Sequence, residues 1–369
     1  MGVYVDVWPV LFRSQGVSLT ELGLYSGLTL AWSLKVLWSP LLDRFGERRH
    51  WIGGSLAAMA ASLLLVGASD MASLTANLWL ALALFCAASA TQDIAIDAYT
   101  IGLVDAGEEG PANAMRNTAY RIGMVGLANA LLFLPRWIGA DQTLAAAAGL
   151  SALMALAVQA IPRVEVPLEG RRDTWGSLRR WLSRRGALPV FAFVLLYRVG
   201  DSAMAPMVKP FWYDRGFSFE EIAAISGWIG GLATIAGAWL GAGAVARMGI
   251  GRSLLWIGIL ALASNLGYAA AAALPEWGAV GVTAASVVES FCAGMAGVAF
   301  MSFLMRICQK QHAAVQYALL TATYNLAGAL LRVPSGALTE TLGYAGYFGL
   351  TALFALPAFA FLPAARRWL

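Results

Sequence analysis

Long apolar stretches separated by short polar breaks dominate this chain. Eleven stretches approach or exceed 20 residues, and a helix of that length crosses about 30 Å of hydrocarbon. They are Leu19–Leu41, Trp51–Ser69, Asn77–Thr100, Ala112–Leu134, Thr143–Ile161, Leu188–Phe211, Ile222–Val245, Ser253–Leu274, Ala279–Met305, Val315–Leu338 and Ala345–Leu362. Because irregular backbone does not face lipid, we expect each stretch to be a transmembrane helix.

A shorter apolar piece, Met1–Phe12, precedes these stretches and brings the predicted helices to twelve. The most polar interruption, Pro162–Gly186, contains seven arginines and divides the helices into two sets of six. We therefore predict a six-helix bundle over residues 1–161, a basic cytoplasmic linker over 162–187 and a second six-helix bundle over 188–369.

An internal repeat supports this division. Residues of the first half recur 200 positions later: Gly16, Ser18, Glu21, Ser26 and Gly27 match Gly216, Ser218, Glu221, Ser226 and Gly227. The segments Asp43–Arg49 and Ala246–Arg252 also align. Two halves of six helices that repeat in the same direction resemble the major facilitator superfamily. Because the seventh helix starts near Leu188, the offset leads us to expect a truncated first helix.

Composition agrees with a membrane protein. The 369 residues are 59% hydrophobic and 12% charged, with a mean hydropathy of +0.68, whereas soluble domains are about 25% charged. Three Cys and two His, without CxxC or HExxH, argue against a disulfide framework or a metal cluster. No Gly-rich phosphate loop is present. We expect no cofactor, no metal and no nucleic-acid partner.

Basic residues indicate the orientation. With the linker in the cytoplasm, that side carries 16 Lys and Arg in its loops and the other side carries three. This bias predicts that both termini are cytoplasmic.

A charged loop follows the second predicted helix. It contains Asp43, Arg44, Gly46, Arg48 and Arg49 and resembles the superfamily's signature loop. Gly46 permits a tight turn, and Asp43 can cap the next helix or meet an arginine. Acidic residues follow the fourth helix, at Asp105, Glu108 and Glu109. We predict that Arg48 and Arg49 face these acids in a cytoplasmic latch that holds an outward-open state. The alternative is that the basic residues only set the orientation.

Two carboxylates, Asp93 and Asp97, share one face of the fourth helix at i, i+4 spacing. Repulsion and apolar surroundings favour a reversible proton site there. Arg116 and Arg121 on the fifth helix could instead hold an aspartate ionised. The cluster is then either part of the transport pathway or a clamp between the two helices.

The second half offers further charged residues in predicted spans. Arg198 and Asp201 lie at i, i+3 spacing in the seventh helix, as a functional pair or as a neutralised structural one. Pro206 and Pro210 follow, so we expect that helix to kink toward its periplasmic end. Glu289 lies mid-span in the tenth helix, where it suits a proton carrier or a protonated structural residue.

Other polar and aromatic side chains fall within the spans. We interpret Lys35 as a residue whose ammonium extends to the membrane surface, and Arg332 as a contact for an anionic solute group. Ring stacking and amide hydrogen bonds to a sugar or peptide could come from Gln92, Tyr120, Trp228, Asn265, Tyr324 and Asn325. Packing and an interfacial aromatic belt are the alternatives.

Several strings together resemble one branch of the superfamily. They are Lys35-Val-Leu-Trp-Ser-Pro40, Gln92-Asp-Ile-Ala-Ile-Asp-Ala98, Tyr120-Arg-Ile-Gly-Met124, Tyr197-Arg-Val-Gly-Asp201, Ala263-Ser-Asn-Leu-Gly-Tyr268, Glu289-Ser-Phe-Cys-Ala-Gly-Met295 and Gln316-Tyr-Ala-Leu-Leu320. These strings look like the AmpG-type muropeptide permeases and the related acetyl-coenzyme A transporters. The resemblance implies proton-driven import of N-acetylglucosaminyl-anhydro-N-acetylmuramyl peptides for cell-wall recycling. It also implies pathway roles for Asp93, Asp97, Arg121, Asp201 and Glu289.

The sequence thus predicts a secondary active transporter of the bacterial inner membrane, not an enzyme. We expect a monomer in the lipid bilayer that couples a small polar solute to protons by alternating access. The alternatives are a siderophore importer, a drug-like facilitator of the same superfamily, or a membrane sensor that does not transport.

Overall fold

The computed structural model describes residues 8, 28, 30–69, 75–123, 126, 134–164, 174–218, 221–222 and 224–369. Within these ranges the chain is helical and forms no strand. The described helices are α1 (Leu30–Leu34), α2 (Ser39–Arg44), α3 (Arg48–Gly67), α4 (Ala76–Leu103), α5 (Glu109–Ile122), α6 (Pro135–Ile138), α7 (Ala140–Ala157), α8 (Thr174–Leu182), α9 (Ala187–Leu196), α10 (Val199–Asp214), α11 (Gly230–Met248), α12 (Ile250–Ala273), α13 (Gly278–Ile307), α14 (Ala313–Arg332), α15 (Ser335–Phe354) and α16 (Leu356–Arg366).

Eight helical segments of the described residues are long and apolar enough to cross a membrane. They are Arg48–Gly67, Ala76–Leu103, Asp141–Ala160, Ala187–Asp214, Gly227–Met248, Ile250–Ala273, Pro275–Ile307 and Ser335–Arg366. The protein is therefore a multi-pass membrane protein, and the prediction of an all-helical membrane fold is confirmed. Most of Met1–Phe12, most of Leu19–Leu41 and the end of Ala112–Leu134 lie outside the described residues.

The predicted span Val315–Leu338 has the wrong boundary at its end. The predicted helix Val315–Leu338 ends at Arg332, and a new helix starts at Ser335. Pro334 explains the break, because the residue before a proline is disfavoured in helical backbone. Gly343, with φ of 68°, interrupts α15 just before the predicted start of the last span at Ala345, and the chain after it is helical to Phe354 and again from Leu356 to Arg366.

The internal repeat is visible in two turns. Gly46 follows α2 with φ of 70°, and its aligned partner Gly249 follows α11 with φ of 77°. Only glycine adopts this backbone readily, so both halves place a glycine with positive φ shortly after a helix.

The repeated Ser and Glu form a helix cap. In the second half, the Ser218 amide donates to Glu221 Oε2 at 2.8 Å, and the Glu221 amide donates to Ser218 Oγ at 3.2 Å. This reciprocal pair is a capping box. Its counterpart, Ser18 and Glu21, lies outside the described residues.

The described residues fall into two compact units. The first draws on Met1–Leu103, Tyr120–Arg179 and Cys308–Ala322, and the second on Val104–Ala119, Arg180–Ile307 and Thr323–Leu369. The core of the first unit includes Trp8, Leu82 and Phe85. That of the second includes Phe211, Trp212 and Tyr268. The division at residues 161 and 188 stays a prediction.

Candidate functional site

A charged network lies where the seventh predicted helix is interrupted. Helices α9 and α10 meet at Arg198, whose φ of −113° and ψ of 14° depart from helical values. The Arg198 guanidinium donates to Asp201 Oδ2 from Nη2 at 3.0 Å and from Nε at 3.2 Å. Asn265 Nδ2 donates to Asp201 Oδ1 at 3.3 Å. The predicted Arg198–Asp201 pair is present in the structure, and Asn265 extends it to a third residue.

A cavity of about 180 Å³ opens beside this network. Three helices of the second unit line it: α10, α12 and α13. Its lining includes Asp201, Lys209, Trp212, Tyr268, Ser286, Glu289 and Ser290. Ser290 Oγ donates to Glu289 Oε2 at 3.5 Å. Two carboxylates that the sequence singled out, Asp201 and Glu289, therefore face one cavity.

Arg332 has a structural contact in this unit. Pro206 lies inside α10 and has no N–H, so the carbonyl of Ser202, four residues earlier, lacks its usual helical donor. Arg332 Nε donates to this carbonyl at 3.2 Å. The chain stays helical through Pro206 and Pro210, and its backbone departs from helical values at Arg198; the kink at the prolines stays a prediction.

The first unit holds a second charged cluster, around Asp43. Its carboxylate accepts hydrogen bonds from the backbone amides of Ala314 at 3.1 Å and Val315 at 2.9 Å. Arg48 Nη2 lies 3.8 Å from Asp43 Oδ1. Asp43 thus caps the start of α14 and faces an arginine. The contact with an arginine was expected, whereas the helix that Asp43 caps is remote in the sequence and is not the next helix, which was the one expected.

Arg48 is 5% exposed and ties three segments together. Nη1 donates to the carbonyl of Ala98 at 2.8 Å, and Nη2 donates to the carbonyl of Lys310. A side chain at Gly102 would collide with Arg48. Asp97, 4% exposed, interacts electrostatically with the Cys308 thiol, as Asp43 does. Burial is the main cause that raises the pKa of Cys308 well above its usual value, and the two carboxylates raise it further.

The remaining loop charges have other partners. Arg49 donates to Glu47 Oε2 at 2.7 Å and to the Gln159 carbonyl at 3.0 Å. Glu109, set against Arg48 and Arg49 by the sequence analysis, pairs with Arg306, with Nη2 to Oε2 at 3.1 Å. Burial opposes ionisation of Glu109, but hydrogen bonds from Arg306 and the backbone outweigh it and lower its pKa. The Asp105 amide donates to Glu108 Oε2 at 3.2 Å.

Other predicted residues are more dispersed. Gln92, Asp93 and Arg121 are partly buried in the first unit, whereas Tyr120 is exposed there. In the second unit Trp228 and Asn325 are exposed, and the Tyr324 ring packs edge-on against Phe300. The cavity beside Asp201 includes none of these residues.

The interpretation of Lys35 is wrong. The residue is 6% exposed, so its side chain is buried in protein and does not extend to the membrane surface. It begins the 3₁₀ turn Lys35–Leu37. Just after this turn, Trp38 Nε1 donates to Thr91 Oγ1 on α4 at 3.1 Å, which holds the turn against that helix.

The sequence analysis missed Lys209, Ser286 and Ser290 as lining residues. Their spacing along the helices was the available signal for these residues. Lys209 follows Asp201 by eight positions, and the two serines lie three positions before and one position after Glu289. It also missed the Glu109–Arg306 pair, which joins residues 197 positions apart.

Comparisons with known proteins agree with this architecture. A family model described as Major Facilitator Superfamily matches residues 2–331. The chain is 32% identical over 374 residues to the anhydromuropeptide permease of Escherichia coli (strain K12), covering 96% of this chain and 74% of the relative.

Solved structures match the fold at low identity. The E. coli fucose:proton symporter FucP superposes with a TM-score of 0.77 at 14% identity, over 99% of this chain and 94% of FucP. The proton:xylose symporter XylE has a TM-score of 0.71 at 12% identity, over 98% of this chain and 90% of XylE. The chain therefore belongs to the major facilitator superfamily of membrane transporters, in the AmpG-type permease family that its sequence motifs predicted.

Proposed function

We propose that this transporter imports anhydro-muropeptides, driven by protons, across the cytoplasmic membrane of a bacterium. It works as a monomer by alternating access, with both termini in the cytoplasm. The cargo is proposed because the E. coli relative, 32% identical across nearly the whole chain, is an anhydromuropeptide permease.

The observation that carries this proposal is the charged network beside the cavity of the second unit. Asp201 is held by Arg198 and Asn265, and Glu289 lines the same cavity. Ionisable groups inside membrane spans are costly, and they mark pathways for substrates and protons. With Asp201 paired to Arg198, Glu289 is the carboxylate proposed to take up and release the coupling proton.

The second part of the proposal is a gate at the cytoplasmic end. Its support is that Asp43 binds the start of α14, that Arg48 binds the Lys310 carbonyl, and that Glu109 binds Arg306. Each contact joins a segment of the first half to a segment of the second. We assign these contacts, with Arg44, Gly46, Arg49, Asp105 and Glu108, to a latch that holds the outward-open state and breaks as the protein opens inward.

Two further groups of residues complete the proposed pathway. Asp93, Asp97 and Arg121 are assigned to proton coupling or to the pathway, because the resemblance of the α4 and α5 strings implies it. Solute contacts are assigned to Gln92, Tyr120, Trp228, Asn265, Tyr324, Asn325 and Arg332, whose amide, aromatic and guanidinium groups suit a sugar or peptide.

Uptake into proteoliposomes tests the proposal. Purified protein is expected to accumulate labelled anhydro-muropeptide under an inward proton gradient, to lose accumulation with a protonophore, and to leave a ferric siderophore outside. Glu289→Gln is expected to abolish accumulation and to preserve exchange of cargo at equal concentrations, because only the coupling proton is lost.

Glu276→Gln is the matched control, since Glu276 lies in an exposed turn between α12 and α13. It is expected to transport like the wild type. Accumulation of the siderophore alone would refute the proposed cargo. Unchanged accumulation by Glu289→Gln would refute the proton role of that residue.

A further inference from the structure

Three helix ends of the second unit carry exposed arginines that neither the proposed pathway nor the proposed latch uses. The ends are the turn between α8 and α9, the start of α12 and the end of α16. The five residues, which we call the arginine patch, are Arg184, Arg185, Arg252, Arg366 and Arg367.

Contacts from the end of α16 hold these three helix ends side by side. Arg366 donates from Nε and Nη2 to the carbonyl of Gly251, at 3.1 and 3.0 Å, and Arg252 is the next residue in the chain. Trp368 Nε1 donates to the carbonyl of Arg185 at 3.2 Å. The arginines of the patch are therefore neighbours on one surface of the unit.

The ring of Trp368 fixes this arrangement against the protein. Trp368 is 8% exposed, and its ring meets the ring of the buried Trp181 edge-on, with 5.5 Å between the centroids. Trp181 in turn donates from Nε1 to the carbonyl of Ile307 at 3.2 Å. The guanidinium of Arg184 lies over the other ring, 4.6 Å from the centroid of Trp368. The end of α16 is thus packed in place, and the arginine patch has a defined shape.

No carboxylate balances the charge of the arginine patch. Among the described residues, none of the five arginines forms an ion pair with Asp or Glu. The segments that supply them, residues 174–200, 247–275 and 341–369, contain no acidic residue at all. Guanidinium groups gathered on one surface repel one another, so the patch favours a bound anion.

Exposed apolar side chains lie about one helical turn from the arginine patch. Leu188 on α9 is 83% exposed and follows Arg185 by three residues, and Trp256 on α12 is 60% exposed and follows Arg252 by four. Both helices belong to membrane spans. One turn rises about 5.4 Å, so the guanidinium groups reach the headgroup layer when Leu188 and Trp256 lie against acyl chains. Tryptophan is enriched at this boundary.

We propose that the arginine patch binds the headgroup of an anionic phospholipid, whose acyl chains lie along Leu188 and Trp256. Guanidinium groups bind phosphate through paired hydrogen bonds, and basic clusters next to membrane spans attract anionic lipids. The phosphate of a zwitterionic lipid carries its own ammonium counter-ion, so the patch prefers phosphatidylglycerol to phosphatidylcholine. The inference goes beyond the proposed function and does not depend on the cargo.

Native mass spectrometry of the purified protein tests this preference. From an equimolar mixture, the wild type is expected to retain about fivefold more phosphatidylglycerol than phosphatidylcholine. Arg185→Gln, Arg252→Gln and Arg367→Gln, combined in one triple variant, are expected to abolish the difference. Among the described residues, the side chains of these three arginines form no hydrogen bond or ion pair. The triple variant should therefore unfold at the wild-type temperature in detergent without lipid.

Arg163→Gln is the matched control. Arg163 is an exposed arginine of the first unit, and its Nε lies 3.8 Å from Glu47 Oε1. Because a carboxylate already balances this cation, its removal is expected to leave the lipid preference unchanged.

Brominated lipids, which quench tryptophan fluorescence on contact, locate the acyl chains in the wild type. Phosphatidylglycerol with brominated chains is expected to quench more than brominated phosphatidylcholine, and Trp256→Phe is expected to reduce this difference. Inorganic phosphate at the same concentration as the lipid is expected to displace neither lipid, because it has no chains to hold it at the surface of the membrane.

Each opposite result would overturn the proposal. Equal retention of the two lipids by the wild type, or an unchanged preference in the triple variant, would show that the arginine patch does not select anionic lipid. An unchanged quenching difference in Trp256→Phe would place the lipid elsewhere. Displacement by inorganic phosphate would indicate a site for the free anion. These measurements need no transport, so their outcome is separate from that of the proposed function.

Discussion

At the scale of single residues, Asp43 does the work of a helix cap and of a counter-ion. Its two oxygens accept the amides of Ala314 and Val315, which are among the first donors of α14 left without a helical partner. Loss of such a cap costs about 1 kcal/mol. The nearby Arg48 is buried, so removing the aspartate charge also leaves a cation with less compensation.

The rate at which Cys308 is alkylated reports how often the contacts around Asp43 open. The thiol is buried and its pKa is raised, so it reacts slowly unless the cluster opens. In a protein whose Cys86 and Cys292 are replaced by alanine, Asp43→Asn is expected to speed alkylation of Cys308 by maleimide about tenfold, which corresponds to about 1.4 kcal/mol.

Asp141→Asn is the control for this experiment, because Asp141 is an exposed acid at the start of α7 in the same unit. Its alkylation rate should match that of the parent. Rates measured over a range of pH separate opening of the cluster from a change in the thiol pKa. An unchanged rate for Asp43→Asn would show that the aspartate does not hold the cluster closed.

At the scale of helices, α11 and α13 approach each other through glycines. A side chain at Gly237 would overlap the carbonyl of Phe291, and one at Gly294 would overlap the carbonyl of Thr234. Small residues allow membrane helices to pack closely, because dispersion contacts and not hydrophobic burial drive their association in lipid. This contact fixes the position of α13, which carries Glu289.

A single methyl group tests this contact. Gly237→Ala is expected to destabilise the protein by about 1–3 kcal/mol, as for overpacking in a tight core, and to lower the midpoint of thermal unfolding in detergent. Gly243→Ala lies on the same helix with nothing within 4 Å of the added carbon, so it should be neutral or slightly stabilising. Equal midpoints for the two variants would contradict the close approach.

The break at Arg198 shows how helices and site are linked. Pro206 leaves the Ser202 carbonyl without its helical donor, and Arg332 supplies a donor for this carbonyl. The helix therefore continues, and the irregular backbone lies at Arg198, where the guanidinium turns onto Asp201. The partner that decides this comes from α14, which no local pattern in α10 reveals.

At the scale of the whole molecule, a few polar contacts join the two halves of the sequence. Glu109 at the start of α5 binds Arg306 near the end of α13, and Asn113 Nδ2 lies 3.4 Å from Ser302 Oγ. The helices around these contacts meet through small side chains, including Ala114, Ala238 and Ala242. Directional hydrogen bonds between surfaces of small side chains suit the proposed latch, whose contacts would form and break.

The Glu109–Arg306 pair predicts a dependence of stability on pH. Because the folded protein lowers the pKa of Glu109, the pair stabilises the fold above the ordinary carboxyl pKa and loses this effect as the pH falls through the lowered value. Glu109→Gln and Arg306→Gln should each lower the thermal midpoint at pH 7, with a coupling of about 0.5–3 kcal/mol in the double mutant.

This coupling should vanish at a pH below the folded-state pKa of Glu109, where the wild-type carboxylate is protonated. Glu340→Gln serves as the control, since Glu340 is exposed on α15. Additive effects of the two substitutions at pH 7 would show that the ion pair contributes nothing to the fold.

Local chemistry along the chain was enough to identify the membrane class, most helices, the repeat and the Arg198–Asp201 pair. Hydropathy and i, i+3 spacing act within one helix, so they can be interpreted without knowing what packs against it. The helix predicted over Val315–Leu338 was extended too far, because Pro334 outweighed a continuous apolar run.

Partners between helices depended on the three-dimensional structure. Asp43 caps a helix 271 residues away, Glu109 binds Arg306 and not the nearer arginines, and Lys35 is buried. Lys209 and Glu289 share a cavity only because α10 and α13 present those faces to each other. Close packing with neighbouring helices sets the rotation of each helix about its axis. That packing depends on the shapes of side chains throughout the fold, and no short stretch of sequence contains this information.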